Sequence, residues 1–272
     1  MGLIPDWEKM MAEAPALEGL EARGNLYIIA DSHLGDRMAP TGEFFQMLES
    51  LPDPGTLIFL GDLFRVWLAM PKFWNRKTRK ILRGFEALRQ KNVRIVFVVG
   101  NREYFLPARQ EQAERMGLPF DQIVHQACVL NWHSKKIGMS HGDTINRRDI
   151  NHLRWQRFSR SRTMAIFFRL LPGKIASKLA EWIEFTLAGT NRAIKIQYPL
   201  DEIEAFGAAV LPGLDGFLVG HFHRDETLVI PGQKGFFRIV PDWHSRKALL
   251  RVEPSGTLTR LIYSKGQGLQ KG

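Results

Sequence analysis

Three short apolar segments, each followed directly by polar residues, limit what this chain can fold into more than any other feature. They are residues 26–30, 56–60 and 93–99, and helical patterns at about 41–50 and 75–90 separate them. Strands buried on both faces of a parallel sheet read as near-continuous apolar runs, and their alternation with helices is typical of α/β proteins. The sequence therefore predicts an α/β fold around a buried, largely parallel sheet.

Potential metal ligands follow these segments and two later ones, a hairpin predicted at 123–140 and a strand predicted at 216–219. The residues concerned are Asp31, His33, Asp62, Asn101, His141, His221 and His223. In open α/β sheets, ligands gather at the carboxyl ends of the strands. Residues two apart at a strand end point to the same side. We therefore expect Asp31 and His33 to face one location, and the closing pair of histidines to do the same.

The ligand chemistry predicts two divalent ions. Mixed imidazole and carboxylate ligands suit manganese, iron or zinc better than magnesium or calcium. Seven nitrogen and oxygen ligands are too many for a single tetrahedral zinc, and the single cysteine, Cys128, excludes a cysteine-rich zinc site. Each motif alone is weak, because a Gly-Asp pair is usually a turn and a lone histidine is more often a core residue. The prediction depends on all of the motifs together.

The order of these motifs resembles that of the calcineurin-like metallophosphoesterases over residues 26–225. The resemblance implies a four-layer α/β/β/α sandwich of two mixed sheets with an inserted helical cap. It also implies two metal ions, most simply manganese, with iron or zinc as alternatives. The ligands implied for one ion are Asp31, His33, Asp62 and His223, and those for the other are Asp62, Asn101, His141 and His221.

A narrower resemblance comes from Arg102, which stands where most of that family has histidine. Gly100-Asn-Arg-Glu103 followed by an aromatic residue resembles the UDP-2,3-diacylglucosamine hydrolases of lipid A synthesis, as does Asp149 beyond His141-Gly-Asp-Thr144. This resemblance implies hydrolysis of a diphosphate bond in UDP-2,3-diacylglucosamine, an acylated nucleotide sugar. The products would be 2,3-diacylglucosamine 1-phosphate and UMP.

The permanent charge of Arg102 favours a role in neutralising phosphoryl charge. A guanidinium group is always charged, so it can neutralise phosphoryl charge but is a poor proton donor. We expect Asn101 and Arg102 to act in catalysis; alternatively, Arg102 is a structural ion-pair partner of Glu103 or Asp143. Asp143 itself would orient His141 or form a turn. The residues expected to contact substrate are Arg102, Asp149, Trp67, Arg154 and Arg157.

The basic character of the chain favours an anionic partner. It carries 38 Lys and Arg against 28 Asp and Glu, a formal charge of +10. Residues 147–169 contain seven arginines interleaved with aromatic residues. Such a stretch can lie on an anionic bilayer, line a groove for acyl chains, or form an ordinary amphipathic helix with a solvated basic face. With an acylated substrate implied by the resemblance, we expect lipid contact.

The predicted organisation is an N-terminal arm at 1–24, a phosphoesterase core at 25–145 and 200–265, and a helical cap at 146–199. The start of the chain has no basic segment followed by an apolar one, so no signal peptide is expected. We therefore expect a cytoplasmic protein, peripheral on the inner face of the cell membrane.

Two rival functions remain open at this stage. The first is a nuclease or cyclic-nucleotide phosphodiesterase of the same fold; Arg102 and the aromatic cap argue against a nucleic-acid partner. The second is a non-catalytic, metal-stabilised scaffold. The oligomeric state does not follow from the sequence.

Overall fold

The three apolar segments form the centre of a seven-stranded sheet in a computed structural model, which describes residues 4–35, 40–172, 175, 178–179 and 198–272. Numbered along the chain, the strands of this sheet are β2 (Asn25–Ile29), β3 (Pro54–Leu60), β5 (Arg94–Val98), β7 (Gln122–Val124), β13 (Ala248–Val252), β14 (Leu258–Ser264) and β15 (Gly268–Lys271). Their order is β15-β14-β13-β2-β3-β5-β7. Strands β2, β3, β5 and β7 are parallel, and β13 to β15 are antiparallel.

A second sheet has six strands, in the order β1-β8-β9-β10-β12-β11. Its strands are β1 (Ala16–Leu17), β8 (Ala127–Trp132), β9 (Lys135–Ser140), β10 (Gly216–Val219), β11 (Glu226–Leu228) and β12 (Phe236–Ile239). Strands β8 and β9 form an antiparallel hairpin, whereas β9, β10 and β12 are parallel. A short parallel pair that the sequence did not predict joins β4 (Trp67–Leu68) to β6 (Glu103–Tyr104).

The two helices predicted at about 41–50 and 75–90 begin and end close to those positions, at Thr41–Glu49 and Arg76–Gln90. The α-helices of the described residues are Trp7–Ala12, Thr41–Glu49, Arg76–Gln90, Gln110–Arg115, Ile150–Ser159, Arg162–Leu170, Leu200–Val210 and Trp243–Arg246, with 3₁₀ turns at Glu21–Arg23 and Pro71–Phe73. The longest starts at Asn75, whose side chain accepts a hydrogen bond from the Thr78 amide at 2.9 Å. Its buried residues recur at helical spacing, so one face of the helix packs on the sheet.

Three apolar cores separate four layers. One face of the seven-stranded sheet, with Tyr27 and Phe59, packs on helices through Phe44 and Phe85. The other face packs on the six-stranded sheet through residues such as Ile28, Leu60, Met139 and Leu218. The far side of the six-stranded sheet packs on helices through Trp7, Phe206, Phe217 and Phe237. Alternate residues of a strand face opposite sides, so both sheets are buried on both faces. The predicted α/β/β/α sandwich of two mixed sheets is confirmed.

The segment predicted as an N-terminal arm packs on the sandwich. Trp7 is buried and lies edge-on to Phe206, with ring centroids 5.2 Å apart. Strand β1 pairs with β8 and so extends the six-stranded sheet. At the other end, β15 pairs with β14, so the seven-stranded sheet continues past the predicted limit of 265. Within the predicted cap, residues 173–174, 176–177 and 180–197 lie outside the described residues.

Candidate metal and phosphate site

The seven predicted metal ligands lie at the carboxyl ends of strands from both sheets. Those that follow β2, β3 and β5 come from the seven-stranded sheet, and those that follow β9 and β10 come from the six-stranded sheet. Parallel strands end at a common edge, so these loops meet at one place. The layered fold therefore brings together side chains that are almost two hundred positions apart.

The local backbone at this edge differs from the expected extended conformation. Five residues have a positive φ between 46° and 66°; they are Asp31, His33, Asp62, His221 and His223. Left-handed backbone is uncommon for residues other than glycine and clusters at functional sites. Asp31 and His33 do face one location, as expected, but strand β2 ends at Ile29, so strand alternation is not the reason. Tight turns beyond the strand direct these side chains.

One group of ligand atoms contains Asp31, His33 and His223. The Nε2 atoms of His33 and His223 lie 3.4 Å apart, and His223 Nε2 lies 3.5 Å from Asp31 Oδ1. Within the described part of the chain, Asp31 Oδ1 and His33 Nδ1 are buried and have no hydrogen-bond partner. The Asp31 oxygen is thus both close to His223 and unsatisfied, which fits a cation, because buried polar groups are otherwise almost always hydrogen-bonded.

A second group contains Asp31, Asp62 and His141, whose ligand atoms lie within 4.8 Å of one another. His141 Nε2 is 3.4 Å from Asp62 Oδ1 and 3.1 Å from Asn101 Oδ1. The His221 ring lies 5.2 Å from the His141 ring, centroid to centroid. The carboxylate shared by the two groups is Asp31, whereas the sequence resemblance implies that Asp62 is shared.

The electrostatics of the site also fit a cation. Burial lowers the pKa of His33 well below its usual value, so this imidazole is neutral and has a free lone pair. Burial raises the pKa of Asp31. Burial alone would lower the pKa of His141, but the Asp62 and Asp31 carboxylates raise it to about 9. Two buried carboxylates thus attract positive charge to this point, and a pair of divalent ions would provide it.

Arg102 contacts Asp62 and not the partners considered from sequence. Its Nε donates to Asp62 Oδ2 at 3.1 Å, its backbone amide donates to Asp62 Oδ1 at 3.1 Å, and its Nη1 donates to the Arg65 carbonyl at 3.3 Å. Burial alone would raise the pKa of Asp62, but His141 and Arg102 lower it. Arg102 is therefore held with its guanidinium beside the metal ligands.

Two supporting interactions were not found from sequence. The buried Glu103 carboxylate accepts hydrogen bonds from the amides of Asp62, Phe64 and Gly100, at 3.2, 3.2 and 2.9 Å. Burial and the neighbouring Asp62 raise its pKa to about 8. In the sequence, only the position of Glu103 directly after Arg102 indicates this supporting role.

The other supporting interaction decides between the two roles considered for Asp143, which lies in a turn that the Ile145 amide closes by donating to the Gly142 carbonyl at 3.2 Å. The His141 Nδ1 donates to the Leu60 carbonyl at 3.0 Å, so this carbonyl orients the imidazole. Asp143 instead accepts a hydrogen bond from Gln156, on the helix Ile150–Ser159.

A cleft opens onto the metal ligands. Its described lining residues are Asp62, Asn101, Arg102, Asp143, Asn146, Asp149, His152, Tyr198, Pro199, His221, Phe222, His223 and Arg224. Asp149 is thus at the cleft, where its side chain also caps the helix Ile150–Ser159 by accepting from the His152 amide at 2.9 Å.

Three predicted substrate contacts lie elsewhere. Trp67 is 2% exposed and stacks on Phe64 with centroids 4.5 Å apart, so it is a core residue and the prediction for it is wrong. Arg154 and Arg157 are exposed and are not among the described residues that line the cleft. A tryptophan near a metal motif has the same local pattern whether it faces the core or the cleft, and its packing partners decide which.

An apolar pocket of about 20 Å³ lies between the β4–β6 pair and the first two helices of the predicted cap. Its lining residues are Val66, Leu68, Tyr104, Phe105, Trp155, Ser159, Met164 and Phe168. Phe105 and Phe168 pack with ring centroids 5.1 Å apart. The short β4–β6 pair therefore joins the loop of Arg102 to an apolar surface that the cap helices cover.

Comparison with known proteins identifies the family. The family model for calcineurin-like phosphoesterases matches residues 24–225. The chain is 27% identical over 235 residues to the UDP-2,3-diacylglucosamine hydrolase of Aeromonas salmonicida, covering 83% of this chain and 89% of that protein. It is 28% identical over 239 residues to the protein of the same name from Neisseria meningitidis serogroup B, covering 85% and 95%. Among solved structures, Vps29 of Chaetomium thermophilum matches with a TM-score of 0.48 at 13% identity, covering 92% of this chain and 96% of that one.

Proposed function

The chain belongs to the calcineurin-like phosphoesterase family and is a metal-dependent phosphoesterase, and from this premise we propose that it hydrolyses the diphosphate bond of UDP-2,3-diacylglucosamine. The products would be 2,3-diacylglucosamine 1-phosphate and UMP. The observation that carries the proposal is the position of Arg102: its guanidinium lies beside the candidate metal ligands, and its loop continues through Tyr104 and Phe105 into the lining of a small apolar pocket. A phosphate-cleaving site next to such a pocket suits an acylated phosphate ester.

The converging donor atoms would hold two divalent ions, manganese in our proposal, with iron or zinc as alternatives. We assign this role to Asp31, His33, Asp62, Asn101, His141, His221 and His223. When bound, such ions polarise phosphate oxygens and lower the pKa of a water molecule. The Glu103 carboxylate and the Leu60 carbonyl keep the ligand loops in place.

Arg102 would neutralise charge that develops on the phosphoryl oxygens. Because its guanidinium does not release a proton at neutral pH, it favours a leaving group that needs none. A phosphate monoester, whose second pKa is about 6, is such a leaving group. Breakage of a diphosphate bond therefore suits Arg102 better than breakage of a simple phosphomonoester. Asp149, at the cleft, is our proposed contact to the sugar.

The cap would face the membrane and its apolar helices would contact the acyl chains; the apolar pocket beneath them, about 20 Å³ in volume, would have to open to admit a chain. Large apolar side chains are exposed on the cap helices, with Phe158, Ile166 and Leu170 at 56%, 56% and 80% exposure. The exposed Arg154 and Arg157 lie on the same pair of helices. Apolar side chains flanked by arginines suit an anionic bilayer surface. We therefore propose a peripheral protein on the cytoplasmic face of the membrane that supplies the substrate.

Membrane association is tested by flotation with liposomes that contain anionic lipid. Within the part of the chain that the structure describes, no helix combines the length and apolar character needed to cross a bilayer. We expect the protein to float with these liposomes at low salt and less at high salt, and Leu170→Ser to weaken flotation. The same substitution at the buried Phe168 would instead lower stability. Absence of flotation at both salt concentrations would contradict a membrane surface as partner.

The proposed activity is tested with a panel of substrates and Mn²⁺. The panel contains UDP-2,3-diacylglucosamine, bis-p-nitrophenyl phosphate, single-stranded DNA and cyclic AMP. We expect the acylated nucleotide sugar to have the highest kcat/KM. Preference for DNA or cyclic AMP would identify another phosphodiesterase, and no turnover of any substrate by metal-loaded protein would favour a scaffold.

Arg102→Ala tests the role of the guanidinium. It should lower kcat on the diphosphate substrate about 100-fold, the scale of one lost transition-state contact. Arg83→Ala, an exposed residue of the helix Arg76–Gln90, is the matched control. If Arg102→Ala lowers kcat equally and only slightly on diphosphate and monoester substrates, this role is contradicted. The comparison requires that the metal content is unchanged.

A further inference from the structure

One wall of the cleft, formed by Tyr198, Phe222 and Arg224, has the chemistry of a nucleobase site. We call it the Tyr198–Arg224 wall. The Arg224 guanidinium carbon lies 3.8 Å from the centroid of the Tyr198 ring. The rings of Tyr198 and Phe222 meet edge to face, with centroids 5.9 Å apart. Planar guanidinium and aromatic groups are the surfaces on which proteins stack bases.

Hydrogen bonds and ion pairs hold the wall in place. The Tyr198 hydroxyl donates to Glu226 Oε2 at 3.3 Å, and Arg224 Nη1 lies 3.7 Å from the same oxygen. Between them in sequence, Asp225 pairs with Arg238 and, at 2.8 Å, with Arg260. Glu226 belongs to β11, which pairs with β12. The aromatic and guanidinium groups are therefore arranged before any ligand binds, which reduces the entropy lost on binding.

The ion pair with Glu226 does not account for the position of Arg224. The Arg224 and Glu226 side chains are 49% and 38% exposed, and exposed pairs at this separation contribute little to stability. Half of the Arg224 side chain therefore remains accessible at the rim of the cleft. A positive charge on a stacked, accessible guanidinium suits a planar ligand with a phosphate.

The wall and the apolar pocket continue two different loops that carry candidate metal ligands. Phe222 stands between His221 and His223, and Arg224 follows them directly, so the wall continues the closing histidine loop. The apolar pocket instead continues the loop of Arg102, through Tyr104. A substrate with an acyl half and a nucleotide half, joined by a diphosphate, has a matching order of parts.

Resting on the proposed function, we infer that the Tyr198–Arg224 wall binds the pyrimidine base of the nucleotide half of the substrate. The base stacks on the Arg224 guanidinium and against the aromatic rings, while the attached phosphate lies towards the metal ligands. The wall thereby determines that a nucleoside diphosphate, and not merely any acylated diphosphate, is positioned for cleavage. It also binds the nucleotide product.

The experiment is calorimetric titration of Mn²⁺-loaded, full-length protein with UMP and, separately, with ribose 5-phosphate. Ribose 5-phosphate has the sugar and phosphate of UMP but no base. We expect UMP to bind more tightly than ribose 5-phosphate to the unaltered protein. Arg224→Ala and Tyr198→Ala should each weaken UMP binding about tenfold, the scale of one lost base-stacking contact. They should change ribose 5-phosphate binding much less.

Two further variants serve as controls for this experiment. Arg224→Lys retains the charge but not the planar group, so it should lose most of the preference for UMP. Arg83→Ala, exposed and outside the described lining of the cleft, should leave both affinities unchanged. Equal binding of UMP and ribose 5-phosphate to the unaltered protein would overturn the inference, as would unchanged UMP binding by Arg224→Ala.

The outcome is separable from that of the proposed function. If UDP-2,3-diacylglucosamine is cleaved but the base contributes nothing to binding, the inference fails and the proposed function stands. If the acylated substrate is not cleaved while UMP binding depends on Arg224, the proposed function fails and the wall remains a nucleotide site.

Discussion

At the scale of single residues, the glycines that directly precede candidate metal ligands, at positions 61, 100 and 220, have a steric reason. A Cβ at Gly61 would overlap the His141 imidazole, and a Cβ at Gly100 would overlap the backbone and carboxylate of Asp62. Gly61 also has a φ of +78°, in the left-handed region that favours glycine. The Gly-Asp and Gly-Asn pairs are therefore turns, as such pairs usually are, and their tightness lets the ligand loops approach one another.

Gly61→Ala tests this close approach. The added methyl group should displace His141 and lower kcat about 100-fold, since small displacements of catalytic groups have effects of this size. Gly117→Ala is the control: its φ is +71°, but no atom lies within 4 Å of an added Cβ. Both variants lose stability from backbone strain, and only the first should lose activity and bound metal. Equal activities of the two variants would contradict the argument.

Glu103→Ala tests the buried carboxylate under the metal ligands. It removes the acceptor of three buried amides, so the free energy of unfolding should fall by about 3 kcal/mol or more. Glu103→Gln keeps one acceptor oxygen, so its free energy of unfolding should lie between those of Glu103→Ala and the unaltered protein. The exposed Glu111, changed to Ala, should alter stability by less than about 0.5 kcal/mol. Denaturant unfolding measures all three, and a Glu103→Ala loss no larger than that of Glu111→Ala would rule this role out.

At the scale of elements, the first cap helix is joined to two of the metal-ligand loops. On the helix Ile150–Ser159, Gln156 donates to Asp143, two residues after His141. Directly after the helix, Arg160 donates from Nη2 to the Gly100 carbonyl at 2.6 Å and lies 3.8 Å from Asp143 Oδ2. The cap therefore contributes to the geometry of the site as well as to the apolar pocket.

Arg160→Ala should separate the cap from the loop of Asn101. We expect kcat to fall about tenfold, because the Gly100 carbonyl loses its donor and the loop is less well positioned. Arg160→Lys should restore part of the activity by keeping the charge near Asp143. The exposed Arg83→Ala provides the control, and steady-state kinetics with bis-p-nitrophenyl phosphate reports on the site without the lipid. Full activity of Arg160→Ala would show that the contact is dispensable.

At the scale of the whole molecule, metal binding should stabilise the sandwich because the two sheets meet at the site. Buried carboxylates and left-handed ligand residues destabilise this edge, and bound cations offset that cost. Ligands present at 100 times their dissociation constant stabilise by about 2.7 kcal/mol.

Removal of metal with a chelator should therefore lower Tm by roughly 5–10 °C, given the usual dependence of Tm on stability for a chain of this size. Adding Mn²⁺ should reverse the change. Asp31→Asn removes the carboxylate common to both ligand groups, so its Tm should not respond to Mn²⁺. A Tm that is independent of chelator in the unaltered protein would mean that the ligand cluster does not hold ions under these conditions.

The sequence by itself determined the central alternation of strands and helices, the seven candidate ligands and the family. These depend on local patterns, because apolar runs, helical spacing and Gly-polar turns are contained within a few residues. Only the tertiary structure decided that Trp67 lies in the core, that the Leu60 carbonyl orients His141, that Glu103 and Arg160 contact the candidate ligand loops, and that the Tyr198–Arg224 wall lines the cleft. Each of these depends on which side chains meet when loops of two sheets converge, and such contacts join residues too far apart in sequence for any local pattern to specify.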